Sequence, residues 1–348
     1  MRLADGGADT EVCRVLVDPT NPFVAYKYQD VLIPCLVGRI EIHLVLHHIP
    51  GETAAAGGLP MFEFRGQRVV IKKIFRRCIV EQRDLEGRPL CESPLTEIAC
   101  LYHLNQLEPK LPNVIRLIDV LVTSDCLYMV LERLDHDMWD ELHKLNPMRR
   151  LDAPTAKARM RECLSTLCAM HAHGIVHRDI SLENLGMCGG ATKVLDLGLA
   201  RVLHKDPATG ETRAMQWDPN GRGPGAGGGW VPVTTQLLAG KQKYRAPELA
   251  TGGHCADCEP AGDVYSLGVC LFRWLTGFYP FAITNQLCPN FRILYHDGAP
   301  FSAAKFGAWA SPAGLVSPTA VDLLARCLDP DPHHRITAAD ALNHPFLN

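Results

Sequence analysis

His177-Arg178-Asp179-Ile180-Ser181-Leu182-Glu183-Asn184 is followed, twelve positions past the asparagine, by Asp196 in Leu195-Asp196-Leu197-Gly198. An aspartate with an asparagine five positions on, and a second aspartate ahead of a glycine, supplies the groups that metal-assisted phosphoryl transfer needs. One carboxylate orients an incoming hydroxyl, while an amide oxygen and the other carboxylate hold a divalent cation against phosphates. Short motifs arise by chance, so the flanking sequence decides.

Upstream, Phe23 to Glu132 has a strand-like texture with one helix. Val69-Val70-Ile71-Lys72-Lys73-Ile74 is a β-branched run, and Leu127 to Glu132 is a second short apolar one. Between them Thr96–Leu107 places Ile98, Leu101 and Leu104 at helical spacing, with Ser93-Pro94 as its start signal. A polar link, Arg133 to Asp137, leads into helical periodicity at Thr155–Ala172, Asp263–Leu275 and Thr319–Cys327. The expected organisation is a loose lead-in over residues 1–22, a sheet-rich lobe over 23–132 and a helical lobe over 133–347. A Gly/Pro-rich patch, Asn220 to Gly229, cannot bury a core and predicts a mobile insertion over about 205–233.

The order of these motifs resembles that of the eukaryotic protein kinases of serine/threonine type, across roughly residues 24–347. The resemblance implies a two-lobed α+β fold, ATP and Mg²⁺ as cofactors, and protein substrates bearing Ser or Thr. It makes Asp179 the residue that orients the substrate hydroxyl, Asn184 and Asp196 the Mg²⁺ ligands, and Lys72 the lysine that contacts the α- and β-phosphates. Glu97, 25 positions after Lys72, is the lysine's expected ion-pair partner. Val70, Glu132, Leu134 and Gly186 would line the nucleotide. Asp137 either binds the ribose or caps a helix starting at Met138. Arg178 would read a phosphate on the activation segment, with Thr234 and Thr235 the nearest sites because Leu237 stands at the family's own; alternatively it pairs with a buried carboxylate. Glu248, closing Gly240-Lys241-Gln242-Lys243-Tyr244-Arg245-Ala246-Pro247-Glu248, should pair with Arg335. Asp263 should prop the catalytic-loop backbone, and Leu101, Leu117, His177 and Leu197 form a hydrophobic spine.

Three departures qualify the resemblance. The glycine-rich phosphate loop is missing: Val37-Gly38-Arg39-Ile40-Glu41 has one glycine where the family has three, and Pro50–Pro60 reads as a loop inserted before the lysine strand. In the adenine pocket Val70 replaces a small alanine and Gly186 an apolar side chain, a bulkier roof over an emptied floor. Ser181 and Lys241 stand where the family carries lysine and threonine, so hydroxyl and ammonium have traded places, and both join the catalytic set. The expected function is a serine/threonine protein kinase. The alternative is a pseudokinase scaffold with weak or no turnover. A small-molecule kinase fits worse, because such enzymes generally lack the Ala-Pro-Glu loop and the Arg335 segment.

Composition agrees with an ordinary globular chain: 348 residues, 47% hydrophobic, 21% charged. A net charge of −3 provides no basic field for nucleic acid. The longest apolar stretch, Val31 to Ile49, is broken by Arg39, Glu41 and three histidines, so no membrane span is expected. Fourteen scattered cysteines and no secretory leader point to a cytoplasmic or nuclear protein. His254-Cys255-Ala256-Asp257-Cys258 has zinc-like spacing without a second pair and reads as a surface loop. Oligomeric state is not legible.

Overall fold

The computed structural model describes residues 15–17, 24–35, 37–53, 60–218, 229–233, 240–250, 256–285, 287–294 and 316–348. The chain divides into two compact units, residues 1–90 with 116–133, and residues 91–115 with 134–348.

The first unit is a six-stranded antiparallel sheet. Its strands are Val15–Val17 (β1), Val24–Cys35 (β2), Gly38–Thr53 (β3), Pro60–Phe75 (β4), Leu117–Val122 (β5) and Cys126–Glu132 (β6), in the order β1-β2-β3-β4-β6-β5. A short helix, Arg76–Glu81 (α1), follows β4. Pleating sends alternate side chains to opposite faces. Glu41, Ile71 and Val130 lie in register, and Ile71 and Val130 join Tyr26, Val45, Val69 and Tyr128 in one core cluster. Ile40, Lys72 and Met129 lie in register on the other face. The sheet curls enough for Tyr26 on β2 to donate to Asp119 on β5.

Two expectations change here. Val15–Val17 falls inside the supposed lead-in yet pairs with Ala25–Lys27 as the first strand. Pro50–Pro60 is not simply a loop, because β3 runs to Thr53 and pairs there with Pro60; backbone pairing extends the ladder through residues whose composition signals a turn.

The second unit carries the other described helices. Pro94–Gln106 (α2) starts as the sequence predicts: Ser93 Oγ accepts from the Thr96 N–H and Pro94 occupies the first turn. Sequence placed this helix with the sheet lobe, whereas it belongs to the second unit. Its neighbourhood is tied there by hydrogen bonds: Ser93 N–H to Gly198 O, Trp217 N–H to Thr96 Oγ1, and Ile115 N–H to Val194 O.

His136–Asp137 (β7), Met138–Asp140 (α3), Ala153–Ala172 (α4) and Ile175–Val176 (β8) follow. Next come Leu185–Cys188 (β9) and Ala191–Val194 (β10), then Arg201–Lys205 (β11), Thr212–Asp218 (β12) and Gly229–Pro232 (β13). Helices Pro247–Ala250 (α5), Glu259–Thr276 (α6), Pro289–Leu294 (α7), Pro318–Cys327 (α8) and Ala338–Leu342 (α9) complete the unit. α6 is its axis, buried along most of its length, with Tyr265 and Trp274 at 0% exposure.

The mobile insertion expected over 205–233 is corrected in its described part. β8, β11, β12 and β13 form a four-stranded sheet, and Trp217 packs edge-on against Trp230 at 5.7 Å. Thr212–Asp218 pairs through its backbone with β11 on one side and β13 on the other, despite the Gly/Pro-rich patch beside it. Residues 219–228 lie outside the described residues.

Candidate active site

β8 delivers the chain to His177 and the loop that follows. Asp263 on α6, wholly buried, accepts from the backbone N–H of His177 at 2.8 Å and of Arg178 at 2.7 Å. His171 Nε2 reaches the same carboxylate at 2.9 Å. Burial alone would raise the pKa of Asp263, but hydrogen bonding and the His171 charge outweigh it and leave the pKa below the ordinary carboxylate value. These bonds hold Arg178 at φ +69°, a left-handed conformation that costs a non-glycine residue about 1–2 kcal/mol. The imidazole of His177 donates from Nε2 to Leu195 O, so Nδ1 is the acceptor for the Asp179 N–H. Asp263 props the loop as the sequence predicts.

Asp179 is held on both oxygens. Asn184 Nδ2 donates to Asp179 Oδ2 and to its backbone oxygen, each at 2.8 Å. The Lys241 backbone N–H reaches Oδ1 at 3.0 Å, and Lys241 Nζ reaches Oδ2 at 3.1 Å. The same ammonium donates to Ser181 Oγ at 2.8 Å. Ser181 is fully buried, while the Lys241 side chain is 38% exposed. The traded hydroxyl and ammonium therefore meet beside the aspartate. Gly240, φ +78°, sets the turn that aims Lys241: a Cβ there would lie 2.6 Å from Arg178 O.

Asp196 follows β10 at φ +55° and accepts from the Gly198 N–H at 3.2 Å. The Leu195 N–H donates to Asn184 O, tying the two candidate metal-ligand segments together. Asn184 spends its amide hydrogens on Asp179, which leaves its side-chain oxygen for a cation; with the Asp196 carboxylate, that hard-oxygen donor set fits Mg²⁺.

The floor of the expected nucleotide pocket is not empty. A Cβ on Gly186 would meet Leu134 Cδ1 at 2.4 Å and Leu195 Cδ1 at 3.1 Å, so Leu134 occupies the missing side chain's space. This corrects the expectation of a void. Asp137 caps α3, accepting from the Asp140 N–H at 2.7 Å, and pairs with Gly186 in the β7–β9 ladder. Burial raises its pKa.

Among the first unit's candidates, Lys72 is 6% exposed on β4, two residues from half-buried Val70. Glu132 Oε1 accepts from the Arg116 N–H at 2.8 Å. β2 and β3 pair as far as Cys35 with Gly38. A Cβ on Gly38 would lie 1.8 Å from Lys73 O, so this glycine serves strand packing. Glu97 is buried in the first turn of α2. Of the spine residues, Leu101, His177 and Leu197 are at 0% exposure and Leu117 is half-buried.

The substrate-loop end is anchored as expected: Arg335 Nη1 and Nη2 grip Glu248 at 2.7 and 2.9 Å. Arg178 takes the second course open to it. Its Nε lies 3.6 Å from Glu259, whose other oxygen accepts from Arg201 Nη1 at 2.8 Å. Sequence reasoning missed Glu259 and Arg201. The available signal was the four-residue step from Glu259 to Asp263, which puts both acids on one helix face. Thr234, Thr235, His254 and Cys255 lie outside the described residues.

The family model described as protein kinase domain matches residues 62–347. The chain belongs to the protein kinase family. It is 27% identical over 327 residues to the serine/threonine-protein kinase SSN3 of Coccidioides immitis, covering 77% of this chain and 63% of the relative. It is 29% identical over 305 residues to a probable cyclin-dependent kinase 10 of Dictyostelium discoideum, covering 81% and 72%. It is 28% identical over 253 residues to the dual specificity protein kinase Ttk of Danio rerio, where it spans 22% of the relative's length. This kinase-family chain thus spans less than two thirds of two of the curated relatives it matches. Among the described residues, no helix is long and apolar enough to cross a membrane.

Proposed function

We propose that this chain transfers the γ-phosphoryl group of ATP to serine or threonine hydroxyls of protein substrates. The observation that carries the reading is the Asp179 constellation: a carboxylate oriented by Asn184 on one side and by Lys241 on the other. Asp179 accepts the incoming hydroxyl's hydrogen bond and aims its oxygen. Asn184 and Asp196 would hold Mg²⁺, which neutralises charge on the phosphates when bound. Lys241 supplies a cation beside the reacting oxygens, in the role that the Ser181 position fills elsewhere in the family. Lys72 would position the α- and β-phosphates, steadied by an ion pair with Glu97. Val70, Glu132, Leu134 and Gly186 would frame the base, and Asp137 the ribose.

A radiolabel transfer assay titrated with ATP, with wild type and Asp179→Asn side by side, tests this. Transfer by wild type that Asp179→Asn abolishes is the expected result. Equal labelling in both would remove Asp179 from the chemistry. The pseudokinase alternative draws on one observation, the pairing of Cys35 with Gly38, which leaves only two residues between β2 and β3 where the family carries a glycine-rich phosphate loop. It predicts no labelling above background in either protein.

A further inference from the structure

Arg178 and Arg201 come from different elements, the catalytic loop and the first residue of β11, yet converge on one carboxylate. Arg201 Nη1 donates to Glu259 Oε1 at 2.8 Å, and Arg178 Nε lies 3.6 Å from Oε2. The arginine side chains are each 7% exposed and that of Glu259 is 0% exposed. A buried carboxylate persists only when paired. This one has two guanidiniums and a place in the first turn of α6, where the helix dipole favours an anion. One turn further along, Asp263 takes the backbone N–H groups of His177 and Arg178. A single face of α6 therefore holds Arg178 twice, by its main chain and by its side chain. The same face reaches β11 through Arg201, which pairs with Val176 of β8 immediately before His177.

We propose that Glu259 is a positioning residue for phosphoryl transfer: a built-in anion that locks Arg178 to Arg201 and orders the start of the segment after Asp196 without a phosphate added to that segment. The proposal rests on the kinase reading above. The electrostatics explain the need for it. Burial pulls the Arg178 pKa down to about 10; Glu259 opposes that pull, and Arg201 adds to it. Without the carboxylate, two buried cations would face each other and push the catalytic loop away from β11. A phosphate on the chain could take those guanidiniums only by displacing Glu259 from a site that solvent barely reaches.

The test uses the full chain, treated with phosphatase and shown by intact mass to carry no phosphate. Hydrogen exchange over 174–205 and steady-state kinetics are read on wild type, Glu259→Gln, Glu259→Asp and the double variant Glu259→Gln/Arg201→Met. Phosphate-free wild type should keep β11 protection and full turnover. Glu259→Gln should lose protection and about 10²-fold in kcat, as a displaced catalytic group does, with the Michaelis constant for ATP unchanged. Glu259→Asp, which keeps the charge, and the double variant, which removes the surplus cation, should each recover part of the loss. Phosphatase treatment that strips protection and activity from wild type would overturn the proposal, and that arm decides even if Glu259→Gln does not fold. Glu259→Gln behaving as wild type would overturn it too. No transfer in any sample, with β11 protection still tracking Glu259, would refute the kinase reading and leave the lock standing.

Discussion

Lys241→Thr removes an ammonium that lies 3.1 Å from Asp179 Oδ2 and 2.8 Å from Ser181 Oγ. At an effective dielectric of about 20, unit charges at that separation attract by about 5 kcal/mol. The lysine side chain is 38% exposed, so solvent screening takes away roughly half of that. Only the part that grows as charge spreads over the transferring phosphoryl group reaches kcat. The screened attraction, about 2.7 kcal/mol or 10²-fold, sets the scale of the loss and matches the smaller effects of removing one preorganised donor. Turnover in the radiolabel assay should therefore fall by about 10²-fold, with the Michaelis constants little changed. Ser181→Lys in the same protein returns the ammonium from the opposite wall and should recover most of the loss. Ser181→Lys alone crowds two cations around one carboxylate and should be deleterious, so the two changes couple strongly in a double-mutant cycle. The reasoning is refuted if Lys241→Thr leaves kcat intact and raises only the peptide Michaelis constant, with no rescue on adding Ser181→Lys.

Gly186→Leu, which an empty pocket floor would welcome, should instead lower the melting temperature, because its Cβ meets Leu134 Cδ1 at 2.4 Å; overpacking of this kind costs about 1–3 kcal/mol. Leu134→Ala in the same chain should restore most of it, and a calorimetric melt with no shift in the single variant would exclude the clash. Gly38→Ala drives a Cβ to within 1.8 Å of Lys73 O and should destabilise the first unit by about 2 kcal/mol or more in urea titration; unchanged stability would mean the hairpin tip has room to move. Asp263→Asn should cost about 3 kcal/mol, since a buried charge accepting three hydrogen bonds is replaced by an amide that cannot accept them all. The folded pKa of Asp263 lies below the ordinary aspartate value of 3.8, so its contribution is complete above that pH and is lost as pH falls through the folded value. Wild type should lose stability faster than Asp263→Asn in that acid window, and parallel pH profiles would contradict the assignment.

Helix α2 was legible because its signals are local: a serine, a proline and apolar residues three and four apart. So were the α4, α6 and α8 segments, each found within a few residues. The Lys241–Ser181 meeting was also foreseeable, since two departures from one pattern compensate each other only if they share a space. What sequence hid depends on distance in the chain. Leu134 fills the space beside Gly186 from across a short ladder, and no periodicity announces such a substitution of one side chain for another. Strands β11 to β13 pair through backbone groups, which any residue but proline can offer, so a glycine-rich neighbour masked them. Glu259 looked like one more acid at a helix start, because its partners come from two remote segments.

The hydrogen bonds from α2 and its flanks run forward in the chain, to Val194, Gly198 and Trp217. The six strands of the first unit's sheet all end by Glu132. During synthesis, then, the sheet can close with residues 91–115 left hanging between its fourth and fifth strands as an undocked loop. At about 5–20 residues per second, the ribosome takes roughly 4–17 s longer to make the strand that caps Thr96. For that interval Thr96 lacks the N–H of Trp217, and for its earlier part Ser93 and Ile115 lack Gly198 and Val194. A nascent chain stalled in this window would hold residues 91–115 without the hydrogen bonds that the later segment supplies. Slow codons or a truncation between residues 134 and 217 would therefore expose residues 91–115 of this protein to chaperones and proteases.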